Sequence, residues 1–261
     1  MKNILFVLLI CIVTLNAKIN SYVTILPQKY FVQQIVGNKI TIRSMFKNQY
    51  DIDKYAPSRK QKNTVSRYID LYFTFNLMWE KKYINEFKSL NKKLKVIQLI
   101  DFDDKKYDEY RWLDPIYVKN IAKKIYKNMI KIDPNNKKIY MKNYGIFLDK
   151  LDSLYINLKR FFSNRNSKVY VFDDSFRYYF DRFNLKSELL KFNRSFLTTK
   201  EILNIKKHIK QNNIKAILLL NNKYKKEASI ISKSTGIKVI NIDIFGYNWL
   251  FNMNKISEAF R

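Results

Sequence analysis

Between Asp101 and Tyr110 the sequence DFDDKKYDEY gathers carboxylate and phenol oxygens in a chain whose charge is otherwise strongly positive. Such oxygens are hard donors that could hold a cation, and they are equally the ordinary content of a solvated loop. The residues after them are easier to read. In Arg111-Trp112-Leu113-Asp114-Pro115 the aspartate offers an oxygen to free amide groups and the proline suits a first turn, so a helix starts here. Asp108, Glu109 and Tyr110 therefore stand just ahead of a helix, as a ligand-binding edge or as a solvated turn. The rest of the chain carries little other chemistry. It has one histidine and one cysteine, and no nucleotide glycine loop, Ser–His pair or CxxC. Enzyme signatures are absent, and no catalysis is expected. His208 lies among lysines in EILNIKKHIKQ, off the Ile202–Ile205–Ile209 face, and reads as a surface residue without a metal role.

The elements that must position these oxygens begin after an atypical start. MKNILFVLLICIVTLNA has an early lysine, an apolar stretch from Ile4 to Leu15, and Ala17 where cleavage would fall. That is the pattern of a secretory signal peptide over residues 1–17, too short to span a bilayer. Cys11 follows Ile10 inside the apolar stretch, a poor setting for lipid attachment. Cleavage would leave no cysteine, and so neither disulfides nor thiolate metal sites. The formal charge is +28, from 50 Lys+Arg against 22 Asp+Glu, and losing Lys2 lowers it only to +27. A composition rich in Lys, Asn, Ile and Tyr with only 4 glycines explains the charge better than nucleic-acid binding does. An exported protein of this charge is expected in the periplasm, its basic surface facing an anionic membrane or wall.

Strand and helix patterns then alternate. SYVTIL, NKITIRSM, IDLYFTF and LKVIQLI read as strands, with helices predicted from Pro27 to Gly37, from Glu80 to Leu90 and after Asp114-Pro115. Asp133-Pro134 repeats the helix-start chemistry. From there Tyr140, Tyr144, Phe147, Leu151, Leu154, Leu158 and Phe161 advance by threes and fours, which predicts one helix from Pro134 to Phe162, roughly 43 Å long. Its stripe is short and aromatic-rich for a coiled coil, so a rigid strut in a monomer is the reading taken. SKVYVF, LKSELLKF, IKAILLLN and IKVINID are four further strands, with helices near Phe176–Phe183, Thr199–Gln211 and Lys226–Thr235 and a last amphipathic helix in YNWLFNMNKISEAF. The fold class expected is α/β: two βα lobes with parallel-type sheets, residues 18–133 and 164–261, joined by a long helix over 134–163, with a ligand cleft between them. Trp79, Trp112 and Trp249 are expected to pack in the core or between lobes.

On ILPQKYFVQQIVGNKITI, DKYAPSRKQ, the block from RWLDP to DSLYINL, VYVFDDSFRYYFDRFNL, NIKAILLLNNKYKKEASIISKSTGIKVINID and the NWL helix, the chain resembles the periplasmic metal-binding proteins of ABC importers, the zinc- and manganese-type cluster with a long linking helix. The resemblance covers the whole chain after the signal segment. It implies a metal ion held between two lobes and handed to a membrane permease. That family usually binds metal with three histidines and one carboxylate. Carried over position by position, the histidines fall on Asp53, Tyr110 and Asp173, and only the carboxylate persists, as Asp243. The family's His-rich loop is replaced by DFDDKKYDEY. Three carboxylates and a phenol favour manganese or iron over zinc, which prefers imidazole and thiolate. A site without metal stays open beside this, with Arg111 or Arg177 pairing the carboxylates in the cleft and the protein serving as a surface scaffold, an adhesin or the binder of a non-metal ligand.

Overall fold

Eight short strands form two separate sheets, each wholly parallel, in the computed structural model, which describes residues 18–46, 55–101, 110–190, 197–222 and 224–261, apart from the side chains of 78 and 79. The predicted signal segment, Asp53, the acidic stretch 102–109 and the Trp79 side chain lie outside the described residues. The first sheet has the order β2-β1-β3-β4, from β1 (Asn20–Val23), β2 (Thr41–Ser44), β3 (Leu71–Thr74) and β4 (Lys95–Gln98). The second has the order β6-β5-β7-β8, from β5 (Lys168–Val171), β6 (Lys186–Leu189), β7 (Ile214–Leu220) and β8 (Lys238–Ile242). Parallel strands need crossovers, and helices α1 (Leu26–Val36), α2 (Arg59–Tyr68), α3 (Met78–Leu90), α6 (Arg177–Phe183), α7 (Thr199–Gln211) and α8 (Lys225–Thr235) supply them. In each sheet the chain runs outward by one strand and then returns past the first. This leaves a switch point between β1 and β3 and another between β5 and β7.

Every predicted strand is present within a few residues of its expected ends. The helix α2 was not foreseen in the pattern. Only Val65 of its ten residues is buried, so no apolar stripe announces it, and its definition comes from the Ser58 cap on the Gln61 amide.

The spanning helix also differs slightly from expectation. Residues Pro134–Asn136 form a single 3-10 turn, and α5 proper is Lys137–Phe162, about 39 Å at ~1.5 Å per residue. Asp133 does not cap this helix. Its carboxylate accepts from Tyr140 Oη at 2.5 Å and from Asn136 Nδ2 at 2.8 Å. The buried stripe is Tyr140, Phe147, Leu151, Leu154, Leu158 and Phe162, so Phe162 rather than Phe161 closes it. By contrast, α4 (Pro115–Ile132) begins as predicted, with Asp114 Oδ1 accepting the Ile116 amide at 2.9 Å.

One hydrophobic core runs through both halves, from Tyr22 and Phe73 in the first sheet through Phe147 and Leu158 of α5 to Val169, Leu218 and Phe260. Along β7 the side chains alternate: Ala216, Leu218 and Leu220 face this shared core, while Ile217 and Leu219 join a smaller cluster under α8. A buried polar knot closes the carboxyl ends of β1 and β3. Glu80, fully buried, accepts from Thr24 Oγ1, from Thr74 Oγ1 (2.9 Å), from the Leu77 amide (2.8 Å) and from Gln28 Nε2 (3.3 Å). Burial raises its carboxyl above the ordinary range, and these donors oppose the rise.

Candidate functional site

The carboxyl ends of the strands carry the candidate residues. Tyr110 precedes a 3-10 turn, Arg111–Leu113, that leads into α4, and its carbonyl accepts the Leu113 amide at 2.9 Å. Asp173 follows β5 by two residues, its Oδ1 accepting the Ser175 amide at 3.2 Å. Asp243 follows β8 directly. Its Oδ1 accepts the Phe245 amide at 3.2 Å, and its main-chain carbonyl accepts the Gly246 amide at 3.0 Å and Asn252 Nδ2 at 2.6 Å. Gly246 sits so close that a Cβ there would lie 2.8 Å from Asp243 Oδ2. Desolvation in this turn raises the Asp243 carboxyl above its ordinary value, against the pull of the Phe245 and Gly246 amides.

Aromatic packing joins the two halves at this level. The Tyr110 ring lies edge-on to Trp112 at 5.5 Å and tilted against Phe245 at 6.4 Å, while Trp112 meets Phe245 at 6.0 Å. Trp112 Nε1 donates to the Ile244 carbonyl at 3.4 Å, and Trp249 of α9 (Trp249–Ile256) returns a bond to the Trp112 carbonyl at 2.8 Å. Both indoles are buried, as expected of them. Tyr110 and the Asp243 turn are thus assembled through Phe245. Asp173 follows β5, an interior strand separated from β8 by β7, and Asp53 lies outside the described residues. Among the described residues no three His, Cys, Asp or Glu side chains form a group that could hold a metal by themselves.

The two arginines are engaged beside this site. Arg111 Nε donates to Tyr178 Oη at 3.2 Å, Nη1 donates to the Asp101 carbonyl at 3.1 Å, and the guanidinium lies 5.1 Å from the Tyr117 ring centre. Desolvation works against its charge, but hydrogen bonds with Tyr178 and Tyr117 outweigh it and leave Arg111 more basic than usual. Arg177 reaches Asp174 at 3.8 Å and also lies against the Tyr178 ring, 5.4 Å from its centre. A third arginine, which the sequence pattern did not single out, makes the strongest bridge: Arg182 Nε and Nη2 donate to Asp114 Oδ1 and Oδ2 at 2.7 and 2.5 Å. His208 is more than a solvated surface residue. Its Nδ1 is 2.6 Å from Tyr170 Oη and its Nε2 3.1 Å from Glu188, which also pairs with Lys168 at 2.7 Å. From α7 it lies over the β5–β6 pair, where Tyr170 and Glu188 stand opposite each other.

Two parallel-sheet lobes, packed on one spanning helix with oxygen-bearing loops at their strand ends, define a bilobal binding protein. The chain matches the family of zinc-uptake complex component A periplasmic over residues 22–259, and it belongs to that family, one of solute-binding proteins. It is 24% identical over 231 residues to the metal ABC transporter substrate-binding lipoprotein SloC of Streptococcus mutans, covering 79% of this chain and 74% of that one. The crystal structure of ZnuA superposes with a TM-score of 0.79 at 23% identity, covering 94% of this chain and 100% of that chain. The laminin-binding protein Lmb of Streptococcus agalactiae, titled as having adhesin and metal-transporting activity, superposes at 0.75 with 19% identity over 94% of this chain and 100% of that chain.

Proposed function

We propose that this protein is the extracytoplasmic solute-binding protein of a metal ABC importer, capturing a metal ion between its lobes and delivering it to the membrane permease. In this reading residues 1–17 direct export, 18–133 and 164–261 form the lobes, and 134–163 forms the strut. Among the described residues no helix is long and apolar enough to cross a membrane. The observation that carries the reading is the pairing of Tyr110, from the loop before α4, with the Asp243 turn of the second sheet through Phe245. Family membership supplies the class of cargo, and Asp53, Tyr110, Asp173 and Asp243 are the ligands.

These donors are all oxygen, and manganese or iron suits them better than zinc. Tyr110 coordinates when the metal displaces its phenol proton. Calorimetric titration of the metal-stripped protein with Mn²⁺, Fe²⁺ and Zn²⁺ tests the proposal. Divalent metals ordinarily rank zinc well above manganese, so manganese or iron binding at least as tightly as zinc marks an oxygen-only site. Zinc bound far more tightly than manganese overturns the cargo assignment, and no uptake of any metal overturns capture itself.

A further inference from the structure

Asn221 has no place in the ligand set carried over from the family, yet it holds the one buried side-chain polar atom that has no hydrogen-bond partner among the described residues, its Oδ1. The residue is 6% exposed. It follows the last residue of β7, the central strand between β5 and β8. The register pairs Leu220 with Ile242, and the Asn221 amide donates to the Ile242 carbonyl at 2.9 Å, so Asn221 stands level with Asp243. On the other side Tyr170 pairs with Ile217, and continuing that register brings Asp173 level with Leu220. Three oxygen-bearing residues, Asp173, Asn221 and Asp243, therefore end three adjacent strands spaced about 4.8 Å apart, beside the switch point of the sheet.

The local backbone holds the amide there. Asn221 and Asn222 have φ of 45° and 60°, left-handed values that asparagine tolerates better than most residues. Asn241 Oδ1 fixes the turn by accepting the Asn222 amide at 2.7 Å. A buried amide oxygen without a donor is costly and is rarely left so. What completes it must be electron-poor. Asp243, level with it on the next strand, disfavours an anion, and the amide oxygen itself is a neutral hard donor of the kind that binds Mn²⁺ or Ca²⁺ in sites of more than four ligands.

We infer that Asn221 Oδ1 is an additional ligand to the captured cation, extending the site beyond the four positions carried over from the family and toward hard metals of high coordination number. This rests on the metal-capture reading above. An amide oxygen adds a ligand without adding charge, and a fifth protein donor suits six-coordinate manganese better than tetrahedral zinc.

The test compares the wild type with Asn221→Gly, which removes the amide while accepting the left-handed backbone, and with Asn221→Asp, which keeps an oxygen. Calorimetry with MnCl₂ and ZnCl₂ should show N221G weakened for manganese by about 10-fold or more, in the range that loss of metal-site partners produces, with zinc little changed and N221D close to wild type. Water-proton relaxation of the Mn²⁺-loaded proteins should count one more exchangeable water on the metal in N221G, a readout that a purely structural role would leave unmoved. Wild-type uptake with equal manganese affinity and equal water count in N221G overturns this assignment alone. A wild type that takes up no metal overturns the capture reading and this assignment with it. Should N221G fail to fold, N221D decides: loss of manganese binding in a folded N221D overturns the assignment.

Discussion

Removing the Arg182 guanidinium should cost more stability than a surface ion pair would, because its partner has few other partners. Asp114 is 10% exposed at its side chain, against 34% for Arg182, and apart from Arg182 its carboxylate keeps the cap bond to the Ile116 amide. Two charge-assisted bonds at 2.7 and 2.5 Å set the scale. At ~1.5–3 kcal/mol each in a dry setting, and reduced because Arg182 is partly solvated, they give a coupling of about 2 kcal/mol. Arg182→Met should then lose about 2–3 kcal/mol, since it strands a largely buried carboxylate, and Asp114→Asn somewhat less, since the amide oxygen still caps α4. Urea unfolding followed by tryptophan fluorescence reads this, with Trp112 and Trp249 both buried near the bridge. The double mutant closes the cycle. Single losses that add to within ~0.5 kcal/mol in the double mutant would refute the coupling, as would a coupling that vanishes in molar salt, which would mark the pair as solvent-screened.

Further predictions concern other parts of the molecule. The raised Glu80 carboxyl binds its proton more tightly folded than unfolded, so its contribution is fullest below the ordinary carboxylate pKa and falls as pH rises from there toward the folded value. Glu80→Gln should therefore flatten that fall in a pH series of urea midpoints, and parallel profiles would contradict it. Gly246→Ala places a Cβ 2.8 Å from Asp243 Oδ2 and 3.1 Å from Asn252 Nδ2, so manganese affinity should drop about 10-fold while stability falls by about 1–3 kcal/mol. Trp249→Phe removes the 2.8 Å bond to the Trp112 carbonyl and part of a buried indole, which should cost about 2–3 kcal/mol in chemical denaturation. Tyr110→Phe should leave the fold intact, because its ring contacts to Trp112 and Phe245 persist, and should weaken metal uptake in titration.

The alternation of strands and helices was legible because parallel strands buried on both faces, such as LYFT and AILLL, write themselves as unbroken apolar runs. The start of α4 was legible because a cap is chemistry between residues two apart, Asp114 and Ile116. Asp133-Pro134 presents the same letters, but Tyr140 claims the carboxylate, a competition the dipeptide does not record. Helix α2 was hidden by its single buried residue. At the site, Asp173 and Asp243 came from the resemblance to the family, and the ends of β5 and β8 place them just beyond the strands. The pairing of Asp114 with Arg182 and the partners of Arg111 did not, because they depend on the direction of long side chains 67 and 68 residues apart. Asn221 was readable only as one of two asparagines closing β7. Its orphaned oxygen is a property of the packed structure.

The shared core also sets the order in which the molecule can be completed as it leaves the ribosome. Phe31, in the first helix, rests 5.2 Å from the Trp249 ring, and Trp112 is sealed by Ile244 and Phe245. A nascent chain that has emerged only as far as α4 therefore still lacks the residues that cover Phe31 and Trp112. The chain through Trp249 must be available before these rings can be covered. The first half thus stays unfinished until α9 has emerged. A holdase during synthesis, or rapid passage while still unfolded, would answer that need.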